Sequence, residues 1–282
     1  MLHTRWIISF ITVAILICFI ASKGAAAEKT SVDKYKEILE TLDRSNLDSI
    51  EEATKAYHKL FADKNDVAAQ EKAFRKWSEF VDEVLEVELR RIIESGLENR
   101  VWVGYPTLYV EPREDMEPKA KQYLADLRKR GLAVQQADNI EIVIRHSYIK
   151  NNFFPYLSDR TKSFSTLGNG WEEENFKYGE DIPFENQRTW IVKYEAFVKQ
   201  YPSSLELALQ GMVQTYVVSG VDEGVVPTDQ KISFLRFLSE NKGSRYYPLV
   251  KQYYQYLEKH QFRPNVEVAR KLLDKYNQLI KH

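Results

Sequence analysis

The chain has 282 residues, 44% of them hydrophobic and 29% charged, with 40 Lys and Arg against 41 Asp and Glu. That length can bury a substantial core in one domain or two. The balanced charge leaves no basic excess to neutralise phosphates, so nucleic-acid binding has no electrostatic support.

The first 27 residues hold Arg5 and Lys23 and no acid, so without them 38 basic residues face 41 acidic ones, a net charge of -3. Within them, Trp6 to Ala21 is an uncharged, mostly apolar run, and Ser22 to Ala27 ends in three alanines. This pattern predicts an export signal cleaved after Ala27. The run is slightly long for a signal and short for a span of ~20 residues, so the alternative is an uncleaved anchor through residues 6–22. Either reading puts the body of the protein outside the cytoplasm. Cys18 is the only cysteine, and Ile17 before it is too large for a lipid-modification site. With the signal removed, neither disulfides nor thiolate chemistry can operate.

Residues 28–111 read as an N-terminal helical region. Tyr35, Ile38, Leu39 and Leu42 form one stripe at helical spacing; Ile50, Ala53, Tyr57 and Leu60 form a second. Asn65 or Asp66 can cap a long third helix carrying Phe74, Trp77, Val81, Val84, Leu85 and Ile92, with Ser95-Gly96 as its end. Glu71, Arg75, Asp82, Glu86 and Arg90 fall on its other side as a solvated face. Val101, Trp102, Val103, Leu108, Tyr109 and Val110 surround Gly104-Tyr105-Pro106 and suit a short β excursion. Glu111 to Glu117 is acidic, carries Pro112 and reads as a linker. A domain boundary falls near residue 112, unless both halves pack as one body.

Residues 112–282 read as a helical domain with a small β-hairpin. Pro118 suits the first position of a helix holding Tyr123, Leu124 and Leu127 and closed by Gly131. Leu132 and Val134, the turn Ala137-Asp138-Asn139, and Ile140, Ile142 and Ile144 predict the hairpin. Two strands alone are marginal in water, so it must lie on neighbouring helices. His146 to Leu157 returns to helix, bent or broken at Pro155, and Ser158 can cap the next turn. Gly168-Asn169-Gly170 reads as a loop, followed by a helix whose first turn holds Trp171, Glu172, Glu173 and Glu174.

Between Trp190 and Gly220 the pattern is that of two helices and a tight turn. Trp190, Tyr194, Phe197 and Tyr201 share a face, Pro202 ends the first helix, and Ser203 with Glu206 forms a capping box. Leu205, Ala208, Leu209, Met212 and Tyr216 make the answering face, with Gly220 as a stop. Through Tyr194, Phe197, the Tyr201-Pro202-Ser203-Ser204 corner and Ala208, this hairpin resembles one unit of the tetratricopeptide-like helical hairpins, over about a tenth of the chain. That family repeats every ~34 residues, and no tandem copy follows here, which favours a hairpin in an ordinary α domain over a repeat scaffold. After a loop at 221–227, helices follow with Ile232, Leu235 and Leu238 after Thr228, and with Tyr247, Val250, Tyr254 and Leu257 at Pro248. The last, capped by Asn265, carries Val268, Leu272, Tyr276 and Leu279. The expected fold class is mainly α, a multi-helix assembly of antiparallel helix hairpins with a small inserted β-hairpin.

Chemistry leaves few marks. His3, His58, His146, His260 and His282 are scattered, without an i,i+4 pair or a cysteine pair, so no metal or cofactor is implied. His58 reads as a half-exposed surface residue. No G-x-S-x-G elbow and no P-loop occur. Paired carboxylates need no motif: Glu172, Glu173, Glu174, Asp222 and Glu223 lie in or near loops around Trp171 and could hydrolyse a glycan, or simply be solvated. Trp171, Tyr246, Tyr253 and Tyr256 are candidates for an exposed partner-binding surface, with Tyr247 and Tyr254 in the core; burial of all against adjacent helices is the competing reading. Two functions are therefore expected, beside a third and blander one, a purely structural role at the envelope. The first is an exported, non-catalytic helical protein that binds an unidentified protein or cell-envelope component, at the envelope or outside the cell. The second is an envelope hydrolase acting on glycans.

Overall fold

A computed structural model describes residues 29–62, 65–178, 181–202, 205–218 and 224–280. The leader with Cys18, Ser203 of the expected capping box, Gly220, Asp222 and Glu223, and the side chain of Leu279, lie outside what is described. The described residues form twelve α-helices and one three-stranded antiparallel sheet, and the chain divides into two compact units after Lys177. Residue 112, where the sequence changes character, falls inside the first unit.

The first unit opens with α1 (Ser31–Thr41), α2 (Asp48–Phe61) and α3 (Val67–Glu94). Thr30 and Asp33 start α1 with a reciprocal capping box, and Asp66 caps α3 by accepting from the Ala69 amide at 3.0 Å. Tyr35, Leu39, Ile50, Ala53, Tyr57, Trp77, Val81, Val84 and Ile92 are all buried, so the helical stripes face one core. Buried tyrosine hydroxyls need partners: Tyr35 donates to the Ala53 carbonyl and Tyr57 to that of Gln70, each at 3.0 Å.

Glu71 departs from the expected solvated face. Its carboxylate is half-buried and accepts from the hydroxyls of Ser158 and Thr161 and from the Ser158 amide. Burial pushes its pKa up, but these hydrogen bonds outweigh it and hold the group below the usual carboxylate value.

A short α4 (Glu98–Val101) precedes β1 (Thr107–Val110), so the expected β excursion is part helix, part strand. After α5 (Pro118–Lys129), β2 (Leu132–Gln136) and β3 (Ile140–Ile144) form the expected hairpin, in the register Leu132↔Ile144, Val134↔Ile142 and Gln136↔Ile140. Strand β1 adds a third member on the free side of β2, with a bulge between Thr107 and Val110. The sheet also packs on α3 through β3, where Ile140 and Ile142 are buried. A marginal hairpin thus gains a third strand and a helical floor.

Helix α6 (His146–Phe153) ends in a 3-10 turn at Pro155, and Ser158 caps α7 (Asp159–Tyr178). Here the expectation fails, because α7 runs unbroken through Gly168-Asn169-Gly170. Two glycines cost a helix about 1 kcal/mol each. The Ser158 cap and the bond from the Asn169 amide to Glu173 one turn on, at 2.8 Å, favour the helix. Glu172, Glu173 and Glu174 therefore sit in its second half, where the dipole does not favour them.

The second unit holds α8 (Phe184–Gln200), α9 (Leu205–Val218), α10 (Thr228–Glu240), α11 (Tyr247–Lys259) and α12 (Val266–Ile280). Helix α8 packs on α9 and α10, α10 on α11, α11 on α12, and α12 returns to α9. Trp190, Tyr194 and Phe197 are buried as expected, but α9 answers with Leu209, Val213, Tyr216 and Val217, leaving Ala208 exposed and Leu205 and Met212 half-buried. Helix α10 likewise buries Gln230, Ser233, Phe234 and Phe237, while Ile232 and Leu235 are 48% and 50% exposed. Ser233 decides this. Its hydroxyl donates to the Phe184 carbonyl at 3.0 Å and meets the Tyr216 hydroxyl at 2.9 Å, which turns the phenylalanine side inward. No helix of the described residues is long and apolar enough to cross a membrane.

Gly131 joins α5 to β2 at φ 75°, and a Cβ there would lie 2.1 Å from Cδ2 of Tyr148. Gly131→Ala is expected to destabilise the protein by about 2–5 kcal/mol, from left-handed backbone strain and overpacking together. Urea denaturation followed by circular dichroism checks this.

Candidate functional site

Three places in the first unit bring chemistry-bearing side chains together. The first is the turn between α4 and β1. Val101 through Val110 carries no charged residue, and Trp102 and Tyr105 are 43% and 55% exposed. Gly104 makes the turn at φ 80°. Beneath it Gln136, at the end of β2, is fully buried. Its Oε1 accepts from the Val103 amide and its Nε2 donates to the Tyr105 carbonyl, both at 2.8 Å. One side-chain amide thus clamps both arms of the turn and presents two aromatic rings to solvent.

The second is a two-lobed cleft that shares Leu47 and Arg130 between its lobes. The first lobe, about 300 Å³, lies between the α1–α2 turn, α3 and α5. Of its two acids, Glu88 and Asp126, Glu88 is 3% exposed and satisfied: Arg91 donates from Nε at 2.8 Å and Nη2 at 2.7 Å, and the Tyr123 hydroxyl donates at 2.8 Å. Burial first, then the Glu88 charge, pushes the Tyr123 hydroxyl pKa up. The second lobe, about 310 Å³, is framed by Ile50, Thr54, His58, Tyr148, Lys55 and Lys129. His58 is not a bare surface residue. Its Nε2 donates to the Asn152 carbonyl at 2.8 Å, and its ring stacks on Tyr156 with centroids 5.4 Å apart.

The third lies where α7 approaches the sheet. His146 Nδ1 and Ser165 Oγ are 3.3 Å apart, and the Tyr109 hydroxyl accepts from the His146 amide at 3.4 Å. Arg145 covers the Tyr109 ring at 4.8 Å and pairs with Glu111 at 2.7 Å. Burial lowers the His146 pKa, with Glu173 pulling the other way. Burial, and then the like charge of Glu141, raises that of Glu172. A half-buried carboxyl that holds its proton above the usual range is a candidate proton donor. Among the described residues no group of three or more His, Cys, Asp or Glu is arranged to hold a metal ion.

The aromatic residues singled out in the sequence lie elsewhere. Trp171 is half-buried on α7. Tyr246 and Tyr253 are each 1% exposed, so they belong to the core of the second unit and not to an exposed patch. Arg245 lies over the Tyr246 ring at 5.0 Å, and burial pushes both hydroxyl pKa values up to about 12. Tyr256 is half-buried, 6.3 Å from Tyr253 and 4.3 Å from His260. Tyr254 is buried as expected, but Tyr247 only half so. Trp102 and Tyr105 were missed as a site. The signal for them was an uncharged stretch holding two large rings around a Gly-Tyr-Pro turn. No known protein family, no curated protein and no solved structure matches this chain.

Because the folded state raises the Glu172 pKa, its ionisation opposes folding at neutral pH, and this cost disappears as pH falls below 4.5, where both states are protonated. Glu172→Gln is expected to raise Tm slightly at pH 7 and to match the unsubstituted protein near pH 4, in parallel thermal melts.

Proposed function

We propose that this chain is an exported, non-catalytic helical protein that binds an unidentified protein or cell-envelope component through the Trp102–Pro106 turn, at the envelope or outside the cell. The observation that carries this reading is the Gln136 clamp. It holds the backbone of the turn in place before any partner arrives, so little backbone entropy remains to be lost on binding. Tryptophan and tyrosine are the side chains that most often dominate a binding interface, and an uncharged tip costs little to desolvate. The run from Trp6 to Ala21 and the alanines after it support export, either with cleavage or as an anchor.

A glycan hydrolase is the second reading, favoured by one observation, the raised pKa of Glu172 beside Glu141. Loss of a measured turnover on a cell-wall glycan in folded Glu172→Gln would establish it.

The binding reading is tested by immobilising residues 28–282 and exposing them to envelope extract. One stoichiometric partner is expected, its recovery falling at least about tenfold for the Trp102→Ala, Tyr105→Ala double variant with unchanged circular dichroism. Equal recovery by both proteins would contradict the assignment of the site.

A further inference from the structure

None of the residues lining the second lobe of the cleft belongs to the Trp102 turn. We propose that this lobe is a binding site for a small carboxylate with a flat apolar body.

The lobe's volume of about 310 Å³ sits at the small end of the range for ligand pockets, roughly 300–1,000 Å³. Leu47 and Ile50 supply an apolar floor, and Tyr148 a wall. That wall is rigid: the Tyr148 hydroxyl donates to Thr54 at 3.0 Å, its ring stacks on Trp77 with centroids 6.2 Å apart, and Gly131 leaves space for its edge. A flat group can therefore lie against a ring that does not have to be ordered first.

Charge at the rim sets the sign of the ligand. Lys55, Lys129 and Arg130 line this lobe with Glu51 as the one acid among its described lining residues, while Asp126 and Asp48 pair with Lys129 and Arg130 from outside it. Arg130 is oriented in advance, with Nε on Asp48 at 2.8 Å and Nη1 on the Asp126 carbonyl at 3.2 Å. Neither bond uses Nη2, whose hydrogens remain for a ligand oxygen. The lysines are easily recruited. Lys55 pairs with Glu51 at 2.6 Å and Lys129 with Asp126 at 3.4 Å, with the lysines 71% and 73% exposed. Such surface pairs are worth about 0–1 kcal/mol, so a ligand carboxylate can replace either acid. Inorganic phosphate would leave Leu47, Ile50 and the Tyr148 ring uncovered, so the lining suits a carboxylate on a flat apolar body better.

The test is calorimetric titration of residues 28–282 with three probes: 1-naphthoate, its uncharged twin 1-naphthamide, and inorganic phosphate. Naphthoate is expected to bind at least about tenfold more tightly than either of the others, in a salt-dependent way. Lys55→Gln with Lys129→Gln, both on exposed stems that leave the Arg130–Asp48 tie intact, is expected to weaken naphthoate about tenfold and leave naphthamide unchanged. Equal binding of naphthoate and naphthamide would overturn the proposal. So would phosphate binding as well as naphthoate, unaltered naphthoate affinity in the folded double variant, or no naphthoate binding at ~10 mM.

Discussion

The hydroxyl of Thr54 is the joint on which the first unit depends. Its oxygen accepts from the Trp77 indole and from the Tyr148 hydroxyl, each at 3.0 Å, and donates to the Ile50 carbonyl at 2.8 Å. One donor and two lone pairs are thereby all used, and α2, α3 and α6 are tied at one buried point. Around it the rings close up: Phe153 lies 4.3 Å from Trp77 and 5.0 Å from both Tyr57 and Phe74. An apolar core tolerates small shifts, but a buried indole N–H without an acceptor does not. The joint therefore selects one packing out of many that would bury the same area.

The consequences run outward from Tyr148. With its ring held, the space beside it at Gly131 must stay empty of a Cβ, and that glycine's carbonyl accepts from the Arg145 amide at 2.8 Å where β3 ends. The base of the β-hairpin and the wall of the second lobe are thus set by the same side chain. In the second unit Ser233 plays a comparable part, accepting from Tyr216 and donating to the Phe184 carbonyl between α8, α9 and α10. Each unit seats a tyrosine on a small hydroxyl, a local solution to placing a large polar ring in a dry interior.

Much of this was legible in the residues. The stripes through Tyr35, Tyr57 and Trp77, the alternation of Ile140, Ile142 and Ile144, and the caps at Asp66, Ser158 and Asn265 all lie where periodicity and capping chemistry put them. Most of the misses share a cause, a partner distant in sequence. Ile232 and Leu235 looked buried because their spacing is helical, yet a serine bonded to Phe184, 49 residues away, turns the other face inward. Glu71 looked solvated until Ser158, 87 residues on, reached its carboxylate. Tyr246 and Tyr253 looked surplus to one helical face, but neighbours on several helices leave no outer side. The glycines at 168 and 170 read as a loop because propensity alone weighs against helix, without the Asn169–Glu173 bond.

The candidate site was less legible than the fold, because it depends on what is displayed more than on what is buried. A ring at Trp102 has the same composition whether packed or presented, and only its exposure in the folded chain shows which. Both surface features rest on a first unit that holds its shape. The most direct measurement is a double-mutant cycle of Thr54→Val and Tyr148→Phe by chemical denaturation. Each single variant is expected to lose about 1–3 kcal/mol, and the pair to lose at least ~1 kcal/mol less than the two losses added together. Losses that add within ~0.3 kcal/mol would mean that this hydroxyl pair carries no energy and that the packing of the first unit is held some other way.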